Sequence, residues 1–484
     1  MTSKNIILNL IALALINTQV ACKKQLEVNV PSFASTTEKS FETDSKAAAV
    51  MAGIYSDLSN SSAFAVSIAA GLSADELMPF KTPGVATINL YRNNLNGLNS
   101  ETVGIDFWAP FYQVIYSCNT AISGLGKSIT LSPEIRKRFL AEAKFTRAFA
   151  YFYLVNLYGD VPLITETDYE KNRLMTRTPR ESVYQLIISD LNEAEAGLGE
   201  AYMDGTLKQP SNERTRPVKW AAAALLSRVY LYRANYAEAE VEAGKVIERT
   251  GLYSFAGMAD AFLKNNSEAI LQLQPVGFGQ NTKDAQWLVI PPGGDVQPFT
   301  LGTSLNEGLI KEFEPGDLRR TSWIDSITLG SVKSFYSFKY KVYQGYSPEL
   351  TEYTTLIRLP EMYLIRAEAR IQLGRIGEGI ADLNLIRQRA RGPQTAQVLD
   401  PLPALSADLS KDAALAACMH ERRVELFTEW GHRWLDLKRT GKVDQVMGIE
   451  TPKKGGVWKS TAQYYPLINS ELNLSPNVKQ TPGY

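Results

Sequence analysis

Residues 219–249 read KWAAAALLSRVYLYRANYAEAEVEAGKVIER. An alanine-rich run of good helix formers reaches Tyr232, breaks at Ala234-Asn235, and resumes from Tyr236 to Glu248. The pattern is helix, short turn, helix. Residues 361–391, EMYLIRAEARIQLGRIGEGIADLNLIRQRAR, repeat it about 140 residues later. The second turn, Gly374-Arg375-Ile376-Gly377-Glu378-Gly379, matches Ala234-Asn235-Tyr236-Ala237-Glu238-Ala239 in side-chain size, small residues flanking one apolar residue in both.

Small side chains at such a turn let two helices approach closely, the pattern of tetratricopeptide-type pairs. The copies are not contiguous, so a plain solenoid is not expected. The expectation is a mostly α fold: tetratricopeptide-like helix pairs forming one large domain, interrupted by long insertions of loop and short strand. Further helices are predicted on either side. One runs from Asp44 to Leu58, with Ala47, Val50, Met51, Ile54 and Leu58 on one face and Asp44 or Ser45 as its cap. Another opens at Ser132-Pro133-Glu134 and stops at Gly159 before Pro162, and a third spans Arg180 to Leu198. Two stretches lack helical period: 71–99, rich in asparagine, and 251–356, rich in Gly, Pro, Thr and aromatics, with strand-like Ile270–Leu273 and Ser334–Tyr343. Loops of such length inside a compact domain are commonly functional.

Before the first helix lies a leader. Lys4 precedes an apolar run from Ile6 to Ile16, broken by Asn9. Eleven helical residues span about 16 Å, roughly half a hydrocarbon core, which suits a signal peptide and not a spanning helix. Ala21-Cys22 then resembles a lipobox, in which the cysteine is acylated and becomes the first mature residue; Gln19 stands where the usual pattern has leucine. The predicted organisation is therefore 1–21 lipoprotein signal peptide, 22–40 Pro/Ser/Thr-rich tether, and 41–484 helical domain.

Composition excludes several function classes. Basic and acidic residues cancel, 51 against 51, without a basic run, which argues against a nucleic-acid binder. Beyond Cys22 there are Cys118 and Cys418, far apart in helix-like stretches, so neither a disulfide framework nor a cysteine metal site is expected. Of the two histidines, His420 begins a zincin-like His-Glu-x-x pattern, but Val424 stands where the second metal ligand must be. Gly277-Phe278-Gly279 lacks the third glycine of a dinucleotide loop, and no nucleophile elbow or Walker sequence occurs. We expect no cofactor, no metal and no enzyme. A glycosidase needs only two carboxylates, and Asp75-Glu76 is the best-placed pair, read first as a capping or hydrogen-bonded turn. The charged run Glu421–Arg439 is read as partners along one helix face at i, i+3 and i, i+4, with Trp430 and Trp434 packed side by side.

Five segments, in chain order, resemble the SusD/RagB family. They are Arg147–Phe152 with Leu157–Leu163, then Arg358–Ala369, Leu383–Ala390, Glu421–Arg439, and Tyr465-Pro466-Leu467 with the terminal Gln480–Tyr484, where Thr481 replaces the family's asparagine. The resemblance implies a lipid-anchored outer-membrane protein facing the cell exterior. It implies capture of oligosaccharide, or in some members peptide, without turnover, for delivery to a SusC-like TonB-dependent transporter. A secreted glycoside hydrolase and a purely structural helical scaffold are the alternatives. These motifs belong to the framework; the ligand surface is implied to lie in the divergent loops.

Sugars are held by aromatic faces, with amide, carboxylate and guanidinium groups bonding the hydroxyls. In 71–99 the suitable residues are Asp75, Phe80, Tyr91, Arg92, Asn94 and Asn96; in 251–356 they are Phe278, Gln280, Trp287 and Phe299. Tyr91 and Trp287 gain weight because neither lies on a helical stripe that needs filling. Trp108 is expected to pack beneath the helix that follows it.

Overall fold

Helices placed by the 3.6-residue period form the frame of the molecule. The computed structural model describes residues 37–60, 65–81, 83–95, 107–277, 281–295, 302–343 and 349–484. The leader, Cys22 and most of the tether lie outside these residues, as do Asn96, Phe278, Gln280 and Phe299. Helix α1, Asp44–Asn60, buries Ala47, Met51, Ile54 and Leu58 as their spacing requires. Its cap is Thr43, whose hydroxyl accepts from the Lys46 amide at 3.3 Å, and not Asp44 or Ser45. Asp44 instead accepts from the amide and hydroxyl of Ser132, at 3.0 and 2.7 Å, pinning the helix that starts at Pro133.

Helix α2 (Val66–Ser73), strand β1 (Leu77–Pro79) and helix α3 (Val85–Tyr91) come next. The stretch 71–99 is thus less irregular than its sequence suggests. Helix α3 is two turns long and buries Thr87 and Leu90, too short for a period to show. Helices α4 (Trp108–Lys127), α5 (Pro133–Tyr158), α6 (Arg180–Gly197), α7 (Lys219–Tyr232) and α8 (Tyr236–Ile247) then pack each against the next. The long insertion holds β2 (Ala269–Leu273), α9 (Lys283–Leu288), β3 (Thr303–Leu305), the hairpin β4 (Ile324–Leu329) and β5 (Val332–Ser337), and β6 (Thr354–Arg358). It is closed at its base, where β2 pairs antiparallel with β6 and every residue of both strands is buried. Gln272 is tolerated there because its amide bonds the Asn265 N–H, the Leu263 carbonyl and the Thr355 hydroxyl.

Strand β6 runs directly into α10 (Leu359–Gln372), followed by α11 (Ile376–Ala390), α12 (Lys411–Glu425), α13 (His432–Arg439), α14 (Val443–Lys453) and α15 (Asn469–Leu474). Helix α8 packs on α10, so the two repeat copies are neighbours in space despite the insertion between them. Their turns share one backbone geometry. Ala234 and Gly374 are both left-handed, at φ 57° and 84°, which is why small residues stand there. The close approach falls on one position of the turn: a Cβ at Gly379 would lie 2.5 Å from Ile371 Cγ1 and 2.7 Å from the Ala367 carbonyl. Gly377 faces open space.

The charged run does not form the single helix face of local partners that its spacing suggests. Helix α12 ends at Glu425, and Gly431 in left-handed conformation starts α13, so Trp430 and Trp434 do not share a face. Trp430 stands edge-on to Phe149, while Trp434 stands edge-on to Trp458. The carboxylates of the run reach distant arginines. Glu421 pairs with Arg319 at 2.5 Å and Arg387 at 3.2 Å. Glu425 pairs with Arg319, Arg358 and Arg389, and Glu429 with Arg358 and Lys339. Glu268, immediately before β2, joins through Arg358 and Arg389. The side chains of all these groups are at most 9% exposed.

Two predictions test this frame. Gly379→Ala forces a methyl into occupied space and is expected to lose about 1–3 kcal/mol in urea unfolding, whereas Gly377→Ala gains a few tenths. Arg358→Met leaves Glu425 and Glu429 buried without their main partner and is expected to lose about 3–5 kcal/mol. A loss below about 1 kcal/mol would show that these carboxylates find other compensation.

Candidate functional site

The two insertions meet. Strand β1 pairs antiparallel with β3, Leu77 opposite Leu305 and Pro79 opposite Thr303. The ladder is extended by Phe80 N–H to the Gly302 carbonyl and by Asn306 N–H to the Glu76 carbonyl, both at 2.8 Å. The β4–β5 hairpin folds over β3. Between them lies a cleft of about 700 Å³. One wall is Met78, Pro79, Phe80 and Lys81; the floor is Ser304 and Leu305 with Glu307, Ile310 and Lys311 of the next turn. The hairpin supplies the other wall, Leu329, Val332, Lys333, Ser334 and Phe335. Val332 is 64% exposed although it borders apolar surface, as expected of an open ligand cleft and not of a core. Lys81 takes the left-handed backbone conformation, φ 54°, which a lysine adopts at an energetic cost of about 1–2 kcal/mol.

Of the residues expected to meet ligand, Phe80 lines this cleft, nearly buried in its wall. Asp75 does not. Its carboxylate accepts from Arg433 Nε at 2.7 Å and from Arg423 at 2.8 Å, and it is 5% exposed, a buried anion paired with two arginines. Tyr91 is half-buried at the end of α3, with the Lys454 ammonium 5.1 Å from its ring centre. Arg92 is exposed but lies along Gly455, and Asn94 is exposed beyond α3; neither lines the cleft. Trp287 is half-buried in α9 and packed on the core. Asn96, Phe278, Gln280 and Phe299 lie outside the described residues. Sequence reading missed Lys81, Ser304, Lys311, Lys333 and Phe335. The alternation beginning at Ser334 was a usable signal for the hairpin; the pairing that brings Lys81 to it was not.

A second cleft, about 430 Å³, opens beside the start of α4. Tyr116 and Tyr169 are exposed at its rim, with Tyr112 and Leu474 in its lining. Trp108 is the first residue of α4 and not a residue preceding it; it is buried, edge-on to Tyr158 and 5.5 Å from the Arg177 guanidinium.

The carboxylate pair Asp75-Glu76 divides its protons unequally. Burial opposes ionisation of Asp75, but the hydrogen bonds and charge of Arg433, with Arg423, hold it well below the usual carboxylate range. Glu76 is pushed up to about 7, first by burial and then by the Asp75 charge, against Arg433 and Lys339. An acid and a base split in this way resemble a glycosidase pair, yet both lie beneath β1 and neither lines the cleft. Because the Glu76 pKa is raised on folding from an ordinary 4.5 to about 7, the folded state binds the extra proton in that window. Its contribution to stability is therefore full below pH 4.5 and falls as pH rises to about 7, by roughly 3 kcal/mol. Glu76→Gln, which carries no such proton, is expected to remove this fall and to exceed the wild type above pH 7 in urea unfolding; an unchanged pH profile would contradict the assignment.

Comparison with known proteins agrees with this architecture. A family model described as SusD family matches residues 313–484, and one described as starch-binding associating with outer membrane matches residues 26–231. SusD-like protein P25 of Formosa agariphila is 25% identical over 487 residues, covering 89% of each chain. A SusD superfamily structure from Parabacteroides distasonis superposes with TM-score 0.75 at 22% identity, over 91% of this chain and 99% of that one. A laminarin-binding SusD-like protein superposes with TM-score 0.70 at 23% identity, over 92% and 100%. With two models of the family matching both ends of the chain and its helical frame shared with solved members, this protein belongs to the SusD/RagB family.

Proposed function

We propose that this protein is a cell-surface glycan-binding lipoprotein, which captures oligosaccharide in the β1–β3–hairpin cleft and passes it to a TonB-dependent outer-membrane transporter without cleaving it. One observation carries the reading: two insertions far apart in sequence are joined by a strand ladder into a single open cleft of about 700 Å³. That volume suits a few sugar rings. Its lining sets Phe80, Leu305 and Phe335 beside hydroxyl and ammonium donors at Ser304, Ser334 and the lysines, and donors of that kind bond sugar hydroxyls. A relative in fold binds laminarin and a matching family model is described as starch-binding, which supports a glycan as ligand. The anchor in this reading is Cys22, acylated after removal of residues 1–21, and the tether to residue 40 holds the domain outside the membrane.

The best carboxylate pair lies buried behind the cleft wall, which supports retention of the ligand intact. The expected result in affinity electrophoresis is retardation by a soluble polysaccharide, without release of reducing sugar in the same sample. Ser334→Trp places an indole in the cleft and is expected to weaken that retention at least about tenfold while thermal unfolding stays unchanged, with Tyr116→Ala at the second cleft as the silent control. Undiminished binding by the Ser334→Trp protein would move the site elsewhere, and sugar release would overturn the non-enzymatic reading.

A further inference from the structure

The charge lining the cleft narrows the ligand. A site for a neutral glycan presents open aromatic faces, but here the half-buried Phe335 ring already carries the Arg320 guanidinium at 4.6 Å and the Lys333 ammonium at 5.2 Å from its centre. Phe80, the other aromatic of the lining, is almost wholly buried, and Lys81 lies 5.9 Å from its ring centre. What the cleft offers outward is ammonium groups: Lys81, Lys311 and Lys333, against a single lining carboxylate, Glu307.

Their present partners are weak. Lys311 meets Glu307 at 3.7 Å with both side chains about four-fifths exposed, and Lys81 meets Asp295 at 3.4 Å with that aspartate 92% exposed. Such pairs are readily exchanged for a better anion. Among the described residues Lys333 and Arg320 have no carboxylate partner. Residues 296–301, which connect Asp295 to the start of β3, include no ionisable side chain. The chain as a whole is neutral, so this excess is local and not a reflection of composition. Lys81 is moreover fixed in a left-handed backbone conformation, between the ladder and the Pro292–Gly294 turn whose carbonyl it approaches.

We propose that the cleft takes an anionic glycan, a chain bearing uronate carboxylates or sulfate esters, with Lys81, Lys311 and Lys333 pairing its charges. This rests on the cleft being the glycan site. Sugar hydroxyls find Ser304 and Ser334 in the same cleft, which distinguishes a saccharide from a polyanion recognised by charge alone.

The test is isothermal calorimetry of the purified protein with polygalacturonate, dextran sulfate, amylopectin, laminarin and polyglutamate. One or both acidic glycans are expected to bind, more weakly at 500 mM than at 50 mM NaCl. Each of Lys81→Gln, Lys311→Gln and Lys333→Gln should lower affinity about threefold, and Glu307→Gln should raise it about twofold. Thermal unfolding of all four variants should match the wild type, since the groups are exposed. Binding of a neutral glycan in preference, insensitive to salt and to the lysine substitutions, would overturn the anionic assignment while leaving the glycan-binding reading intact. Polyglutamate bound as tightly as polygalacturonate would overturn recognition of a saccharide. Absence of binding to any glycan would overturn the functional reading on which the inference stands.

Discussion

The architecture depends on a buried exchange of charge beneath the long insertion. Arg319, Arg358, Arg387, Arg389 and Lys339 face Asp317, Glu268, Glu421, Glu425 and Glu429, with the part-exposed Glu314 at the edge. Each group alone would cost several kcal/mol to bring out of water, so any one of them requires the others. The consequence is positional. Glu268, Asp317, Arg319 and Lys339 belong to the insertion, whereas Arg387, Arg389, Glu421 and Glu425 belong to α11 and α12. Satisfying the charges fixes one seating of the insertion on the helices. Lys339 shows how tight that seating is: burial presses its ammonium down to about 8 even with Glu429 beside it.

A cleft made from loops needs such a foundation. Strands β1 and β3 have three residues each and could not hold a binding surface by themselves. They are rigid because their ends are tied elsewhere. Asp75, two residues before β1, is clamped by Arg423 and Arg433, and Arg423 also reaches Glu312, seven residues past β3, at 2.6 Å. One guanidinium thus braces both walls of the ladder. The β2–β6 ladder closes the insertion below, so its open face is left to the hairpin and the turn after β3.

How much of this was legible in the sequence followed the range of the interactions. The helix pairs were, because period and turn chemistry are local: Ala234 and Gly374 stand at equivalent left-handed positions, and Pro133 and Pro360 mark helix starts. The family was legible for the same reason, since its motifs lie on that frame. The charged run misled because spacing alone implies neighbours on one helix, while the real partners of Glu421 and Glu425 come from the insertion and from another helix. The partner of Asp75 was hidden for the same reason: Arg433 reaches it from the far end of the chain. Helix α3 and strand β1 are too short to carry a period, and no local signal told that Leu77 would meet Leu305.

The central claim is that the insertions, and not the helical frame, present the ligand site. Hydrogen–deuterium exchange with and without a bound polysaccharide tests it most directly, because it reads location without presupposing a contact residue. The account predicts slowed exchange at residues 77–81, 302–311 and 324–337, with the frame unchanged. Protection confined to the start of α4 and to α15, around the second cleft, would contradict it and transfer the site to the aromatic rim of Tyr116 and Tyr169.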